Sequence, residues 1–348
     1  MEFSHFLSCY YPDTSYPPAK LYADMLEQAK LVEELGFVGV TIPEHHFINI
    51  LMNPAPLLVA VKVASVTSHI PIVTAVLVLP FLDMKRLAGE IALADNLTDG
   101  RLQLGMGRGA FAYEFTRFGI PPEESRERFD ESLAVLEALL SDKEVSWNSK
   151  YYKFDSLTIM PRPLQQPHPP IWIAALAPAA IYHCARKGYN VQTTPLKGSQ
   201  DLVRQQAEGF LKGAEEAGPV GRPLRFSMLR VGFVARDQAD AKEKQRLAYN
   251  YYQHFTNVFE TPGEVHNGAI KPIQYEQTQE QLAQNLLVGT AGEIVDKLQQ
   301  YAELGIHQIN LNMNIGATPV ETLASIERFA TEVMPHFTST SEADISRR

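Results

Sequence analysis

Short runs of apolar, mostly β-branched residues recur along the chain, and each run is followed by a polar or glycine-containing stretch. Such runs predict eight strands, at residues 3–8, 37–42, 70–77, 101–107, 171–175, 190–194, 226–235 and 307–313. Segments with the period of an amphipathic helix lie between the runs. Strands that alternate with helices in this way are typical of a (β/α)8 TIM barrel, and a doubly wound parallel sheet is the alternative.

Local signals place the ends of several predicted helices. Apolar residues at helical spacing predict a helix after the first strand: Leu21, Met25, Ala29, Val32 and Leu35. Gly36 follows them, where a glycine commonly ends a helix. Thr290 and Thr318 each precede a glutamate by three residues, which predicts a capping box at the start of two further helices.

Two segments are longer than the usual connection between elements: residues 141–169, after the fourth helix, and residues 256–288, in the seventh unit. The second segment is rich in Gln, Gly and Pro and precedes the helix capped by Thr290. It therefore lies on the face where the strands end, and we interpret it as a mobile active-site lid. A simple surface excursion is the alternative.

Composition and charge narrow the class of protein. Of the 348 residues, 45% are hydrophobic and 20% are charged, which is typical of a packed globular chain. The net charge of −9 argues against nucleic acid or an anionic membrane as the main partner. Two cysteines form no disulfide framework, and no apolar run reaches the roughly 18 residues of a membrane span. We expect a cytoplasmic protein with one barrel, residues 1–337, and a disordered tail, residues 338–348.

Candidate chemistry follows the second predicted strand. In a barrel of this type the active site lies at the carboxyl ends of the strands. Glu44, His45 and His46 occupy that position, but neighbours in an extended chain face opposite sides, so these three residues do not converge on a metal ion. We predict no metal site and interpret one histidine as a group for proton transfer.

The sequence after the fourth strand, GMGRGA at residues 105–110, matches the letters of the dinucleotide-binding fingerprint. The fingerprint belongs at the first strand of its fold, however, and the next predicted helix begins only near Ser125. We interpret the glycines as allowing a flat or anionic ligand close to the backbone. Arg108, Arg126 and the helix N-terminus at Ser125 then form a phosphate clamp. Alternatively, Arg126 is a solvated surface charge beside three glutamates.

Aromatic residues flank these predicted strand ends: Phe6, Tyr10, Phe47, Phe111, Tyr113 and Phe115. They either line an apolar ligand pocket or belong to the core.

Taken together, these pieces resemble the bacterial luciferase-like flavin-dependent monooxygenases, and the luciferase catalytic subunit (alkanal monooxygenase) more than the deazaflavin-dependent reductases. The resemblance extends from residue 3 to about residue 337. Nine matching pieces follow in order: GF (36–37) with EHHF (44–47), TAVLVLP (74–80), DGR (99–101), GMGRG (105–109), FG (118–119), SR (125–126), PIWIA (170–174), VGT (288–290) and VMP (333–335).

The resemblance implies a barrel that binds reduced FMN, supplied by a separate flavin reductase, at the face where the strands end. It implies that O2 adds to the flavin as a C4a-peroxide, which oxygenates a small, largely apolar substrate such as an aldehyde, ketone or terpene. It also implies a homodimer. A deazaflavin (F420)-dependent oxidoreductase on the same barrel and a non-catalytic flavin-binding partner subunit are the alternatives.

The resemblance also assigns roles to residues. His45 matches the catalytic histidine, and Arg108 and Arg126 match the phosphate ligands. Ala75 and Val76 match a non-prolyl cis peptide under the isoalloxazine ring. Further expected contacts with the flavin are Phe6, Glu44, Gly107, Ala175, Leu176 and Ala177. The expected substrate pocket comprises His46, Phe47, Phe111 and Tyr113.

The chain departs from the luciferase pattern at four places. Gly107 stands where luciferase has a reactive cysteine, and residues 175–180 lack the acidic and hydroxyl side chains that help to bind flavin there. Pro195 replaces an aromatic residue, and Phe111 replaces a tyrosine. The resemblance therefore does not extend to an expectation of light emission with a long-chain aldehyde.

Overall fold

The computed structural model describes residues 1–218, 224–274 and 276–337. Its strands include one in each of the eight predicted runs. Their bounds are β1 Glu2–Phe6, β2 Val40–Ile42, β3 Ile72–Thr74, β4 Leu77–Val78, β5 Leu102–Gly107, β6 Val145–Asn148, β7 Lys153–Leu157, β8 Ile171–Ala174, β9 Asn190–Thr193, β10 Phe226–Val234, β11 Val265–His266, β12 Ala269–Ile270, β13 Leu287–Gly289 and β14 Gln308–Asn312.

Helices occupy the connections between the strands. Their bounds are α1 Pro18–Glu34, α2 Pro56–Ala64, α3 Met84–Leu97, α4 Ala112–Phe118, α5 Ser125–Ser141, α6 Pro178–Arg186, α7 Gln200–Ala217, α8 Gln238–Glu260, α9 Gln279–Asn285, α10 Ala291–Glu303 and α11 Pro319–Arg328. The capping boxes at Thr290 and Thr318 are formed, and Gly36 has the positive φ of 82° that ends α1. These local predictions are confirmed.

The strands form a closed parallel barrel in the order β1-β2-β3-β5-β8-β9-β10-β14, and β14 pairs with β1 through the register of Ser4 with Asn310. Closure confirms the (β/α)8 prediction and rules out the doubly wound sheet, which would keep two open edges. Strand β13 is an addition that pairs with the far end of β10. Within the described residues, no helix combines the length and the apolar character needed to span a bilayer.

Polar side chains fill part of the barrel interior. Asn310 donates from Nδ2 to Thr41 Oγ1 over 2.7 Å, and its Oδ1 accepts from Ser4 Oγ over 3.2 Å. His5, the next residue on β1, is fully buried on the other side of the strand, where its Nε2 lies 2.9 Å from Gln28 Oε1 of α1. Desolvation lowers the pKa of His5 from 6.5 to about 4. The apolar core lies instead between the barrel and its helices, as expected for this architecture. A ligand therefore reaches the barrel at its ends rather than through its centre.

Three details of the prediction needed correction. The run at residues 70–77 is two strands, β3 and β4, which are separated by Ala75 and Val76; the peptide bond between these two residues is cis. The stretch between residue 110 and Ser125 holds a short helix, α4, which the sequence analysis did not anticipate. The strand β13 was also missed, since three residues are too short to show a period.

The two long segments are partly ordered by their own secondary structure. Residues 141–169 contain the hairpin of β6 and β7, and residues 256–288 contain the end of α8, the hairpin of β11 and β12, and α9. The predicted tail, residues 338–348, lies outside the described residues.

Candidate active site

A cleft opens at the carboxyl ends of the barrel strands. It is lined by Phe6, Ala75, Val76, Ala174, Leu176, Gln192, Thr193, Thr194, Ser227, Leu229 and Asn310. Four of these residues, Phe6, Ala75, Val76 and Leu176, were predicted from the sequence to contact a flavin. The cleft thus has apolar walls from three different strand ends and from Leu229 of β10, and a polar floor.

The floor of the cleft has an unused hydrogen-bonding group. Thr193 is 4% exposed, and its Oγ1 has no hydrogen-bond partner in the described part of the chain. Buried polar atoms are nearly always paired, so an orphaned hydroxyl in a cleft indicates a place for a ligand atom. A flat heterocycle with donors and acceptors on its edge, such as an isoalloxazine, fits this combination of apolar walls and an unpaired hydroxyl.

The backbone beside the cleft is held in place by several hydrogen bonds. The cis bond joins Ala75 to Val76, and Thr74 Oγ1 both donates to Gly105 O and accepts from Gly105 N–H, each over 2.8 Å. A Cβ atom at Gly105 would lie 1.8 Å from Thr74 O, so only glycine allows this approach of two strands. A Cβ atom at Gly107 would likewise lie 2.5 Å from Val76 Cγ2.

Glu44 lies behind this segment rather than in the cleft. Its carboxylate is 2% exposed, and one oxygen accepts from the Val78 backbone N–H over 2.9 Å. The other oxygen lies 2.9 Å from His46 Nε2. Both oxygens of Glu44 are therefore occupied by the protein, and Glu44 contacts the segment that follows the cis bond.

His45 pairs with a carboxylate that the sequence analysis did not identify. Its Nδ1 lies 3.1 Å from Oε1 and 3.3 Å from Oε2 of Glu114, which is in the first turn of α4. The His45 ring also stacks on Phe111, with ring centroids 4.1 Å apart and planes inclined by 15°. Because the pair is separated by 69 positions in the sequence, only the folded chain reveals it.

His46 faces the opposite side of the segment, as expected for adjacent residues in an extended chain. Besides Glu44, its ring contacts Phe118, with centroids 4.9 Å apart. Phe47, which has a positive φ of 64° and is 53% exposed, also packs on Phe118. The predicted substrate residues are thus split into two groups, because Phe111 and Tyr113 lie in the aromatic cluster beside His45.

Arg108 and Arg126 are both exposed, and neither guanidinium has a hydrogen-bond or ion-pair partner among the described residues. Arg108 follows β5 directly. Arg126 is in the first turn of α5 and acts electrostatically on Cys184 of α6. Carboxylates surround Arg126 in a shallow depression: Glu123, Glu127, Asp130 and Glu131. Both arginines are available to an anion, and the acidic surroundings weaken the attraction at Arg126.

The loop after β8 leads into α6, which begins at Pro178 with Ala177 as its N-cap. No side chain caps this helix end. The first N–H groups of a helix have no partner inside the helix, so the N-terminus of α6 is a favourable place for an anion. Leu176, just before it, lines the cleft. Ala175 donates its own N–H to Gln192 O, so this loop is tied to β9.

The segment at residues 256–288 folds over the aromatic side of the site. Phe111 contacts Phe255 and Phe259 of α8, with ring centroids 5.7 and 6.2 Å apart. A Cβ atom at Gly263, in the turn after α8, would lie 3.0 Å from the Tyr113 ring. The backbone N–H of Ile270 donates to Asn49 Oδ1 over 3.0 Å. These contacts place the segment directly against the residues around His45.

Two cations hold the far end of the same segment. Arg230 donates to Leu196 O over 3.1 Å and to Asn285 O, and Lys297 donates to Ala283 O over 2.8 Å. The last carbonyls of α9 therefore receive positive charge, which favours a helix C-terminus. Burial, together with the charge of Arg230, lowers the pKa of Lys297 from 10.5 to about 8.

Two residues of the site were missed from the sequence alone. Glu114 sits among aromatic residues in FAYEF, where a single charged residue could have drawn attention, but no spacing rule links it to His45. Thr193 lies at the end of a predicted strand, which is a signal of function in a barrel. Within the described ranges, no three His, Cys, Asp or Glu side chains are grouped so that they could hold a metal ion.

Comparison with known protein sequences gives a match to a family model and a relative that aligns over the whole chain. A family model described as luciferase-like monooxygenase matches residues 1–308. The chain is 30% identical to the oxygenase component of a flavin-dependent trigonelline monooxygenase from Acinetobacter baylyi (strain ATCC 33305 / BD413 / ADP1). That alignment spans 357 positions and covers 100% of this chain and 98% of the relative.

Solved structures with the same fold include monooxygenase RslO1 from Streptomyces bottropensis, with a TM-score of 0.84, 26% identity and coverage of 97% of this chain and 100% of that chain. The oxygenating constituent of 3,6-diketocamphane monooxygenase from Pseudomonas putida, in complex with FMN, has a TM-score of 0.77, 20% identity and coverage of 97% and 99%. An F420-dependent secondary alcohol dehydrogenase has a TM-score of 0.76, 19% identity and the same coverage of 97% and 99%.

Proposed function

The chain belongs to the luciferase-like monooxygenase family, and we propose that it uses reduced FMN and O2 to oxygenate a small, largely apolar organic substrate of the aldehyde, ketone or terpene class. The observation that carries the proposal is the cleft at the strand ends, which holds an unpaired buried hydroxyl between apolar walls. Its Phe6 and Ala75 belong to the same hydrophobic cluster as Phe111, on which the carboxylate-bound His45 stacks. Bound reduced FMN would supply the oxygen chemistry, along the route that the resemblance implies.

The side chains at the cleft would hold the isoalloxazine ring. Phe6, Val76 and Leu176 supply apolar surface, and the Thr193 hydroxyl would bond to a polar atom at the ring edge. Gly107 leaves room beside Val76 that any side chain would fill. Glu44 would act indirectly: it accepts a hydrogen bond from Val78 N–H and so fixes the backbone just beyond the cis bond.

The phosphate of FMN would bind between the N-terminus of α6 and the free arginines. The loop at Ala175, Leu176 and Ala177 brings uncapped backbone N–H groups to the rim of the cleft. Arg108 is the stronger candidate for a charge-assisted hydrogen bond, because acidic residues surround Arg126.

His45 would move a proton between solvent or substrate and the reacting flavin. Phe111 and Tyr113 would form the substrate wall on this side, and the segment 256–288 would cover it. The segment would keep water out of the site, which would favour oxygenation of the substrate over release of hydrogen peroxide. On this proposal the segment acts as a lid over the aromatic wall. His46 and Phe47, on the other side, would shape the site only through their contacts with Glu44 and Phe118.

A separate reductase would deliver the reduced flavin. The relative from Acinetobacter baylyi is named as the oxygenase component of its enzyme, which implies that another component reduces the flavin. The dinucleotide fingerprint at residues 105–110 opens no Rossmann unit in the barrel, so no NAD(P)H site of that kind is expected on this chain.

A second copy of the chain would cover the outer face of α2 and α3, giving the homodimer that the resemblance implies. Leu58 on α2 and Leu93 and Leu97 on α3 are 74%, 50% and 54% exposed. Arg86 and Glu90 lie on the same face and carry opposite charges. Within one chain Arg86 Nε donates to Glu90 Oε1 over 2.7 Å, and a two-fold axis that brings this face against itself would pack the leucines together.

The test is oxygen incorporation from labelled O2. The purified protein is given chemically reduced FMN and 18O2 with a panel of aldehydes, ketones and terpenes, and the products are analysed by mass spectrometry. We expect one 18O atom in the product, and a loss of about 100-fold or more in turnover for His45→Ala, the usual scale for general acid–base catalysis. Product formed without the label would contradict the proposal.

The F420-dependent reaction is the second candidate, because the F420-dependent secondary alcohol dehydrogenase shares the fold. The same panel is therefore run with reduced F420 in the absence of oxygen, and with the matching alcohols and oxidised F420. Turnover in these arms, with none in the FMN arm, would establish the alternative.

A further inference from the structure

We propose that Glu114 is a positioning residue for His45, which fixes the proton of the imidazole on Nδ1 and leaves Nε2 as the ring nitrogen that exchanges a proton in the site. The inference rests on the proposed role of His45 but concerns a different residue, on a different element. It predicts a specific tautomer and a specific charge partner, both of which can be measured without knowing the substrate.

The geometry of the pair is that of a bifurcated contact. His45 Nδ1 lies 3.1 and 3.3 Å from the two oxygens of Glu114, and the Glu114 side chain is only 1% exposed. A carboxylate can only accept hydrogen bonds, so the proton between the two groups belongs to Nδ1. The neutral imidazole then carries its lone pair on Nε2, which has no hydrogen-bond partner among the described residues.

Glu114 is itself held by the backbone of the histidine segment. The N–H of His46 donates to Glu114 Oε1 over 2.6 Å, so one carboxylate receives both the side chain of His45 and the main chain of the next residue. Phe111 stacks on one face of the imidazole, with ring centroids 4.1 Å apart. Carboxylate and phenyl ring together leave the imidazole little freedom to rotate, which is the usual function of a third group behind a catalytic base.

The other charged groups near the pair are engaged elsewhere: Glu44 is bound to His46 and Val78, and Arg117 of α4 stacks over the Tyr113 ring at 3.2 Å. Glu114 is therefore the group that we expect to fix the tautomer of His45.

The adjacent pair provides a matched control. His46 Nε2 lies 2.9 Å from Glu44 Oε1, and that side chain is also 1% exposed. Two neighbouring histidines thus each have one buried carboxylate, but through opposite ring nitrogens. The same substitution in each carboxylate should affect its own histidine alone.

The experiment measures the tautomers of the neutral histidine rings by 15N NMR on the flavin-free protein, with the signals assigned through His45→Gln and His46→Gln. In the unsubstituted protein we expect the neutral His45 ring to be protonated at Nδ1. Glu114→Gln, whose amide can donate as well as accept a hydrogen bond, should mix the two tautomers of His45 and leave that of His46 unchanged. Glu44→Gln should do the reverse.

Two results would overturn the proposal: a neutral His45 ring protonated at Nε2, or a Glu114→Gln variant in which the tautomer of His45 stays as it was. If Glu114→Gln does not fold, Glu114→Asp is measured instead. This variant keeps the charge but withdraws it, so the tautomer of His45 should be mixed.

Turnover with reduced FMN and O2 separates this inference from the proposed function. We expect Glu114→Gln to reduce turnover by about 10- to 100-fold. In the His45→Ala background the same substitution should cause no further loss, and an equal loss in both backgrounds would reject the coupling. If His45→Ala itself leaves turnover unchanged, the proposed catalytic role fails while the NMR result for the pair stands.

Discussion

The fit between Gly107 and Val76 provides a direct test of where the flavin lies. Gly107 ends β5, and Val76 follows the cis bond at the edge of the cleft. A methyl group at position 107 would lie 2.5 Å from Val76 Cγ2 and 3.4 Å from Val76 Cβ. Since non-bonded carbon atoms are in favourable contact at about 3.5–4.0 Å, the distance to Cγ2 is about 1 Å too short, whereas the distance to Cβ is tolerable.

Gly107→Ala should therefore push Val76 towards the ring site. Overpacking of this kind costs about 1–3 kcal/mol, and because Val76 lines the cleft, part of that cost should appear as a loss of about tenfold in FMN affinity, equivalent to about 1.4 kcal/mol. Val76→Ala removes the offending methyl group. In the double variant the clash is absent, so we expect FMN affinity close to that of Val76→Ala alone.

Four proteins complete the cycle: the unsubstituted chain, Gly107→Ala, Val76→Ala and the double variant. FMN binding is followed by quenching of flavin fluorescence, and stability by urea unfolding. Gly292→Ala, where nothing lies within 4 Å of the added carbon, is the control for a glycine-to-alanine change. We expect a coupling of about 1–2 kcal/mol, within the usual range for residues in contact. Strictly additive losses would show that the two side chains do not share the flavin site.

Four further outcomes follow from the structure. Arg108→Ala should weaken FMN binding about tenfold while riboflavin, which lacks the phosphate, binds nearly as before; equal losses would contradict the clamp. Shortening the segment 256–288 should keep FMN binding but raise the hydrogen peroxide released per reduced flavin, and an unchanged ratio would make the segment a surface excursion. Leu93→Asp should yield monomers in sedimentation if α3 lies in a dimer interface. The pKa of His5 is about 4 in the folded chain and 6.5 in the unfolded chain, so the unfolded chain binds more protons between these pH values. The free energy of unfolding, measured with urea, should therefore fall by up to about 3 kcal/mol as the pH falls from 6.5 to 4, and by less in His5→Asn.

The parts of the fold that could be predicted depend on local sequence. The capping boxes at Thr290 and Thr318 and the glycine end of α1 are set by residues within four positions of one another. The barrel itself followed from the repetition of strand and helix, since eight such units leave few arrangements with all parallel strands paired.

The elements that could not be predicted depend on distant contacts. Strand β13 exists because the end of β10 extends beyond the barrel and offers it a partner. The short helix α4 is only seven residues long, and helices of that length are stable only when they are packed. Its packing against α8 and the histidine segment comes from parts of the chain far away in sequence.

The same distinction applies to the site. Position at a strand end indicated a functional role for one histidine, and the family resemblance then pointed to His45, Ala75 and Val76. The resemblance also placed Glu44 among the expected flavin contacts, whereas nothing in the sequence pointed to Glu114. In the folded chain the residue bound to His45 is the more distant Glu114, because alternation in an extended chain turns Glu44 towards His46.

This arrangement links the two halves of the site through one dipeptide. His46 is bound to Glu44, which also receives the N–H of Val78, two residues beyond the cis bond below the proposed flavin. His45 is bound to Glu114, on the helix that carries the aromatic wall. A shift of the histidine segment would therefore displace the flavin support and the substrate wall together. Because each link is a buried hydrogen bond to a carboxylate, the His45 side chain is held in a fixed position relative to both surfaces. A reaction between the flavin and an apolar substrate requires such positioning.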